Sequence, residues 1–175
     1  ETGVLSYVKF DKIVLWIKIL VACIPAAVVG ILFDEQLEAM FYNYQTVSIS
    51  LIVFGIAFIV IENQNKGKRA RVNTLKGITL QTALLIGVFQ LIAAIFPGTS
   101  RSGATIVGAL LLGVSRTVAA EFTFFLAIPV MFGASLLKIV KFGLVFTAQE
   151  MTILAVGMIV AFLVSVFIIR FLMGY

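Results

Sequence analysis

Histidine is absent from the 175 residues, and cysteine occurs once, as Cys23 inside an apolar run. Disulfides within the chain are therefore excluded, and a thiol redox role has little to support it. Without histidine, no mechanism that needs an imidazole can be completed by these residues. Charge is scarce too. Asp, Glu, Lys and Arg make up 12% of the chain, about half the share of a soluble domain. No polar stretch is long enough to build a soluble domain. The chain does not open on methionine but on Glu1-Thr2-Gly3, and no basic segment, apolar core and small-residue cleavage site precede the first apolar run, so no signal peptide is expected.

What is present is apolar. Hydrophobic residues make up 62% of the chain, and the mean hydropathy is +1.17. These values imply several membrane spans, and the expected fold class is an all-α integral membrane bundle. The net charge of +5, from 13 basic and 8 acidic side chains, would raise nucleic acid as a partner in a soluble protein. Here the basic residues sit at the ends of apolar runs, which fits membrane orientation better, and no nucleic-acid partner is expected.

The chain reads as one membrane domain over 1–175. Spans are expected at about 13–33, 47–61, 119–137 and 151–170; the second is short for a helix that crosses hydrocarbon, with Tyr44 and Glu62 placed at the interfaces. Pro25 predicts a kink in the first. The acidic connector holding Asp34, Glu35 and Glu38 leads to Tyr42 and Tyr44, which suit a membrane interface. The segment 62–76 carries Lys66, Lys68, Arg69, Arg71 and Lys76 and reads as a solvated cytoplasmic loop, with docking of anionic lipid headgroups as the minority role.

Two apolar pieces follow, Ile78 to Phe96 and Ile106 to Val114, and the second is too short to span. Either it fuses with the next helix, or 78–114 forms a re-entrant helix–loop–helix hairpin. A hairpin returns Arg116 and Arg170 to the side of Lys9, Lys12 and the basic loop, and leaves only Lys138 and Lys141 opposite. Charge bias therefore favours the hairpin. Ile24-Pro25 with Gly30, and Ile128-Pro129 with Gly133, hint at an inverted internal repeat of the kind found in transporters.

Between the two pieces lies PGTSRSGAT, residues 97–105. Hydrocarbon tolerates such a polar loop only where it is buried in protein or lines a wet cavity. An intramembrane arginine marks a functional site whose natural partner is an anion. Pro97 stops the helix before it, and Gly98 and Gly103 permit a turn and close approach of a ligand to the backbone. Thr99, Ser100, Ser102 and Thr105 supply hydroxyls. A helix starting near Gly103 would aim free N–H groups into the loop, and Arg101 adds a planar fork that matches phosphate oxygens. Together these make a phosphate cradle, although serine and threonine also cap and pack membrane helices without doing chemistry. Gln90, about two turns before Pro97, either bonds a ligand or bridges helices. Glu121 is expected to pair with Arg116 or to cap rather than to act as an acid or base. Neither Ser100-Arg101 nor Ser115-Arg116 is followed by a histidine, which excludes the lipid phosphatases that use a histidine nucleophile.

PGTSRSGAT, preceded by GVFQ and followed by GALLLGVSRTVAAEFTFFLAIPVMFGAS, resembles the undecaprenyl-diphosphate phosphatase family of bacterial membrane enzymes, also known for bacitracin resistance. The likeness runs from about Ile17 to the end and includes IPAAVVGILFD. It implies membrane helices with two re-entrant hairpins related by an inverted repeat, a homodimer, and a bacterial plasma-membrane location. It also implies removal of the terminal phosphate from a polyprenyl diphosphate lipid, which recycles the carrier for cell-wall synthesis. By position Ser100, Arg101 and Thr105 match the family's second active-site motif. The resemblance gives Arg101 the diphosphate to neutralise and gives Ser100 and Thr105 phosphate oxygens to bond. Gly98, Thr99, Ser102, Gly103 and Gln90 join them as substrate-binding candidates.

The family's other motif, with its glutamates in an ExxxE pattern, a PVSSTGH-like stretch and a histidine, is missing from these residues. A divalent cation, Mg2+ or Ca2+, is implied, but its ligands and the nucleophile or general base are expected outside this stretch. The chain therefore reads as part of a longer enzyme and is expected to be inactive alone. A polyprenyl-phosphate transporter of the same broken-helix plan, and a purely structural membrane subunit, are the rival readings.

Overall fold

The structure is a computed structural model and describes residues 10–143 and 146–174; Lys9, assigned above to the inner face, lies outside them. Among the described residues six α-helices follow one another: α1 Phe10–Phe41, α2 Tyr44–Asn65, α3 Leu80–Ile95, α4 Arg101–Leu111, α5 Arg116–Phe142 and α6 Ala148–Met173. Helices in α1, α2, α5 and α6 are long and apolar enough to cross a membrane, and the protein is a multi-pass membrane protein. Pro25 and Pro129 lie inside α1 and α5 without interrupting either. α2 continues through Glu62–Asn65, so the basic segment leaves helix only at Lys66.

Two compact units divide the chain, Glu1–Gly133 and Ala134–Tyr175. In the first, α1 packs on α3, α3 on α4, and α4 on α2. A core of Ile19, Ala22, Ile78, Ala83, Ile86, Ala109, Val118, Ala119 and Phe122 draws on α1, α3, α4 and the first half of α5. Small residues let these helices approach. A Cβ on Gly87 would stand 2.2 Å from the Ala22 carbonyl oxygen, and one on Gly108 2.4 Å from Cγ of Phe89. Ala83 and Gly87, four apart, form the small-residue seam that membrane helices use for close packing. Lys18 is the only charged side chain buried among the described residues. Its Nζ donates to the Lys76 carbonyl at 3.0 Å, which satisfies the ammonium at the end of a short 3-10 turn, Leu75–Gly77.

α4 does not fuse with α5. Gly113 adopts φ +82, a left-handed conformation that breaks the helix. Val114 then pairs with Val72. The amides of Arg71 and Val72 donate to the Gly113 carbonyl at 2.8 and 3.1 Å, and Ser115 N donates to the Val72 carbonyl at 2.8 Å. The basic segment is thus stitched to the end of the α3–α4 hairpin. At the hairpin's tip, Phe96 meets Phe41 and Phe54, with ring centroids 5.3 and 5.6 Å apart, and Gly98 lies against Val47 and Leu51. These contacts put the tip beside the end of α1 and the start of α2, while its stitched base adjoins the basic segment.

Arg116 does not pair with Glu121, the partner expected from sequence. Its Nη1 reaches Glu62 Oε1 at 2.6 Å, 54 residues away. Folding brings the end of α2 beside the start of α5, a proximity that local spacing could not show.

In the second unit, the end of α5 and α6 are joined through Gly143, φ +98, with Phe142 stacked on Phe146. Thr147 caps α6. Its Oγ1 accepts from Glu150 N at 3.3 Å, and Thr147 N donates to the Glu150 carboxylate at 2.8 Å. This reciprocal box satisfies two amides that would otherwise lack partners.

Candidate phosphate-binding site

The loop at the hairpin's tip is built from its own sequence. α3 ends at Ile95, and Pro97 and Gly98 occupy the centre of a turn closed by Thr99 N donating to the Phe96 carbonyl at 3.3 Å. Proline in the second place and glycine at φ +89 in the third are what a type II turn requires. Gly98 also sits where a Cβ would come within 3.1–3.3 Å of Val47 and Leu51. Ser100 follows in extended conformation as the N-cap of α4, its Oγ accepting from Gly103 N at 3.1 Å. The helix therefore starts at Arg101, two residues before Gly103.

This arrangement gathers most of the candidate residues within the loop and the first turn of α4. Ser100 and Ser102 are exposed with their hydroxyl oxygens 3.2 Å apart. Arg101, between them, is half-buried, and among the described residues no carboxylate pairs with it. The first amides of an α-helix have no partner inside the helix, so the site combines unspent N–H groups, two accessible hydroxyls and a guanidinium. Gly103 serves packing, since a Cβ there would stand 2.6 Å from the Phe58 ring of α2.

Thr105 lies a turn behind. It is fully buried; its hydroxyl donates to the carbonyls of Arg101 and Ser102 at 3.0 and 3.1 Å and accepts from Thr123 of α5 at 3.1 Å. It holds the turn that carries the arginine rather than facing outward. In the sequence Thr123 is marked only as a hydroxyl between aromatic residues in an apolar helix. Gln90 and Thr99 are buried, and Gln90 Nε2 and Thr99 Oγ1 find no hydrogen-bond partner in the protein. Buried polar atoms left unpaired cost about 1–3 kcal/mol each, so both atoms are suited to a polar ligand or a further polar segment.

The same donors do not suit a divalent metal. The described residues contain no cluster of three or more His, Cys, Asp or Glu side chains that could hold one, and the loop offers neutral hydroxyls beside a cation where hard cations need carboxylate or carbonyl oxygens. Neutral hydroxyls beside a guanidinium suit an anion better.

Three relatives share this chain's sequence closely. The undecaprenyl-diphosphatase of Desulfitobacterium hafniense is 71% identical over 168 residues, which are 96% of this chain and 60% of that protein. Undecaprenyl-diphosphatase 1 of Clostridium acetobutylicum is 69% identical over 169 residues, 97% of this chain and 62% of the relative. The undecaprenyl-diphosphatase of Acetivibrio thermocellus is 58% identical over 168 residues, 96% and 61%. The chain thus spans about three-fifths of the length of the curated relatives it matches. The model of the bacitracin resistance protein BacA family matches residues 3–175, and the chain, glycine-turned loop and arginine-bearing helix start included, belongs to that family.

Proposed function

We propose that this chain forms part of an undecaprenyl-diphosphate phosphatase, which hydrolyses the lipid carrier diphosphate to the monophosphate and inorganic phosphate. The observation that carries this reading is Arg101. It sits at the N-terminus of α4 between two exposed hydroxyls, with no carboxylate to neutralise it among the described residues. The names of the relatives support the same reaction.

In the hydrolysis, a water oxygen bonds to the terminal phosphorus while the bond from that phosphorus to the bridging oxygen breaks. The bridging oxygen leaves with the carrier monophosphate. The guanidinium and the amides at the start of α4 stabilise charge on the transferring phosphoryl group, and Ser100 and Ser102 donate hydrogen bonds to its oxygens. Gly98 and Gly103 leave the backbone open to the ligand, and Thr99 and Gln90 supply the buried polar atoms that need a partner. Thr105 acts in this reading as a positioning residue, through its bonds to the carbonyls of Arg101 and Ser102. A divalent cation, Mg2+ or Ca2+, would take its ligands from parts of the protein beyond this chain, as would the proton acceptor.

We read the stitched hairpin as re-entrant, one half of an inverted repeat, in a homodimer of the bacterial plasma membrane. The basic segment at the hairpin's base favours the cytoplasmic side, which turns the tip and Arg101 toward the outer face.

The test is phosphate release from a polyprenyl diphosphate by the native-length protein in detergent. Turnover establishes the phosphatase. No turnover with or without divalent cations, accompanied by movement of a polyprenyl phosphate across vesicles, moves the assignment to a transporter. Ser100 separates chemistry from capping. Ser100→Gly keeps an N-cap to within a few tenths of a kcal/mol, whereas Ser100→Ala loses about 1 kcal/mol. Both are expected to lower kcat/KM about tenfold or more. Wild-type turnover by Ser100→Gly would reduce Ser100 to a cap.

A further inference from the structure

At the hairpin's base lies an open-sided cavity of about 760 Å³, lined by the last turn of α2, the basic segment, the end of α4 and the start of α5. Lys66, Lys68, Arg69, Arg71 and Arg116 line it, against Glu62 as the sole carboxylate of the lining. Glu62 is taken by Arg116 at 2.6 Å. α2 and α4 also end here, and each helix C-terminus presents roughly half a negative charge. The lysines and arginines exceed both sources of negative charge, so the cavity keeps a surplus of positive charge.

The wall is organised rather than an incidental gathering of surface lysines. The bonds between the amides of Arg71 and Val72 and the Gly113 carbonyl fix the basic segment to the hairpin's end. The stem of Arg71 lies over Gly113, 3.4–3.6 Å from where a Cβ would stand. Asn65, another wall residue, has a buried Nδ2 without a hydrogen-bond partner. The leucines at 110–112 supply an apolar side. The cavity sits where α2 ends and α5 begins, two helices long and apolar enough to cross a membrane, and therefore at headgroup level.

We propose that this cavity is a second anion site, which holds the phosphate headgroup of an anionic membrane lipid at the end of the hairpin opposite Arg101. Cationic side chains recognise the phosphate, and the leucines take the first carbons of the acyl chains. A free phosphate would use the charges but not the leucines, which is why a lipid is the favoured source.

Lys68 and Arg69 are exposed, so the double variant K68Q/R69Q should fold. The native-length protein is titrated in detergent with phosphatidylglycerol, with phosphatidylcholine and with inorganic phosphate, and bound lipid is counted by native mass spectrometry. Wild type should retain phosphatidylglycerol, and K68Q/R69Q should hold it about tenfold more weakly, since each basic residue near a headgroup contributes appreciably. Retention of phosphatidylcholine should be the same for both. Equal retention of phosphatidylglycerol by the two proteins overturns the proposal. A loss confined to inorganic phosphate, read by thermal shift, overturns the lipid and assigns the site to free phosphate. Phosphate release from a polyprenyl diphosphate should be unchanged in K68Q/R69Q, and a parallel loss of it overturns the separation of the two sites. K66Q/R71Q, a pair on the same wall that shares no residue with the first, should reproduce the lipid result.

Discussion

Arg101→Ala in the native-length protein is expected to lower kcat/KM for a polyprenyl diphosphate by at least about 100-fold, the scale on which loss of one charge-stabilising donor acts. The variant should fold no worse than wild type. A cation at a helix N-terminus opposes the dipole by roughly 0.3–1 kcal/mol, and no described carboxylate offsets it. Removing the guanidinium therefore relieves an unfavourable charge, and the thermal midpoint should hold or rise while activity collapses. A structural role for the arginine predicts the reverse, with the midpoint falling first. Arg101→Lys sharpens the reading. It keeps the charge but loses the planar fork that contacts two phosphate oxygens together, so an intermediate loss of about tenfold is expected. Turnover within about threefold of wild type in Arg101→Ala would remove Arg101 from the site.

The loop was the most legible part of the chain, because its chemistry is local. Pro97, Gly98 and Ser100 set a turn and a cap through neighbours no more than three residues away, and the structure forms both. The apolar runs announced their helices for the same reason. What stayed hidden depends on residues far apart in sequence. The link from Arg116 to Glu62 spans 54 positions, and nearby Glu121 looked the better partner. The resemblance gives Thr105 a phosphate oxygen to bond, and no local spacing shows that α5 covers it with Thr123. Nothing near Lys18 in sequence points to its carbonyl partner at Lys76, 58 positions away. Spacing finds caps and turns; it does not find which helix will cover a side chain.

Gly87→Ala should be the most damaging single-methyl change in the chain. The added Cβ would meet the Ala22 carbonyl oxygen at 2.2 Å and its carbon at 2.9 Å. Both are backbone atoms of a neighbouring helix, so no rotamer change relieves the contact. α1 and α3 would have to part by about an ångström along a seam that also holds Ile19, Ala83 and Ile86, all fully buried. Overpacking a tight site costs about 1–3 kcal/mol and sometimes more, and a contact between two backbones belongs at the upper end. Part of the loss would be offset by alanine's preference for helix over glycine, about 1 kcal/mol. Gly30→Ala supplies the control. Nothing stands within 4 Å of a Cβ at Gly30, so only the helix preference acts, and stability should hold or rise. The pair differ by position and not by chemistry. Thermal unfolding in detergent, together with the yield of monodisperse protein, should show Gly87→Ala several degrees below wild type and Gly30→Ala at or above it. If Gly87→Ala unfolds with Gly30→Ala, the close crossing of α1 and α3 is not what holds the hairpin in place.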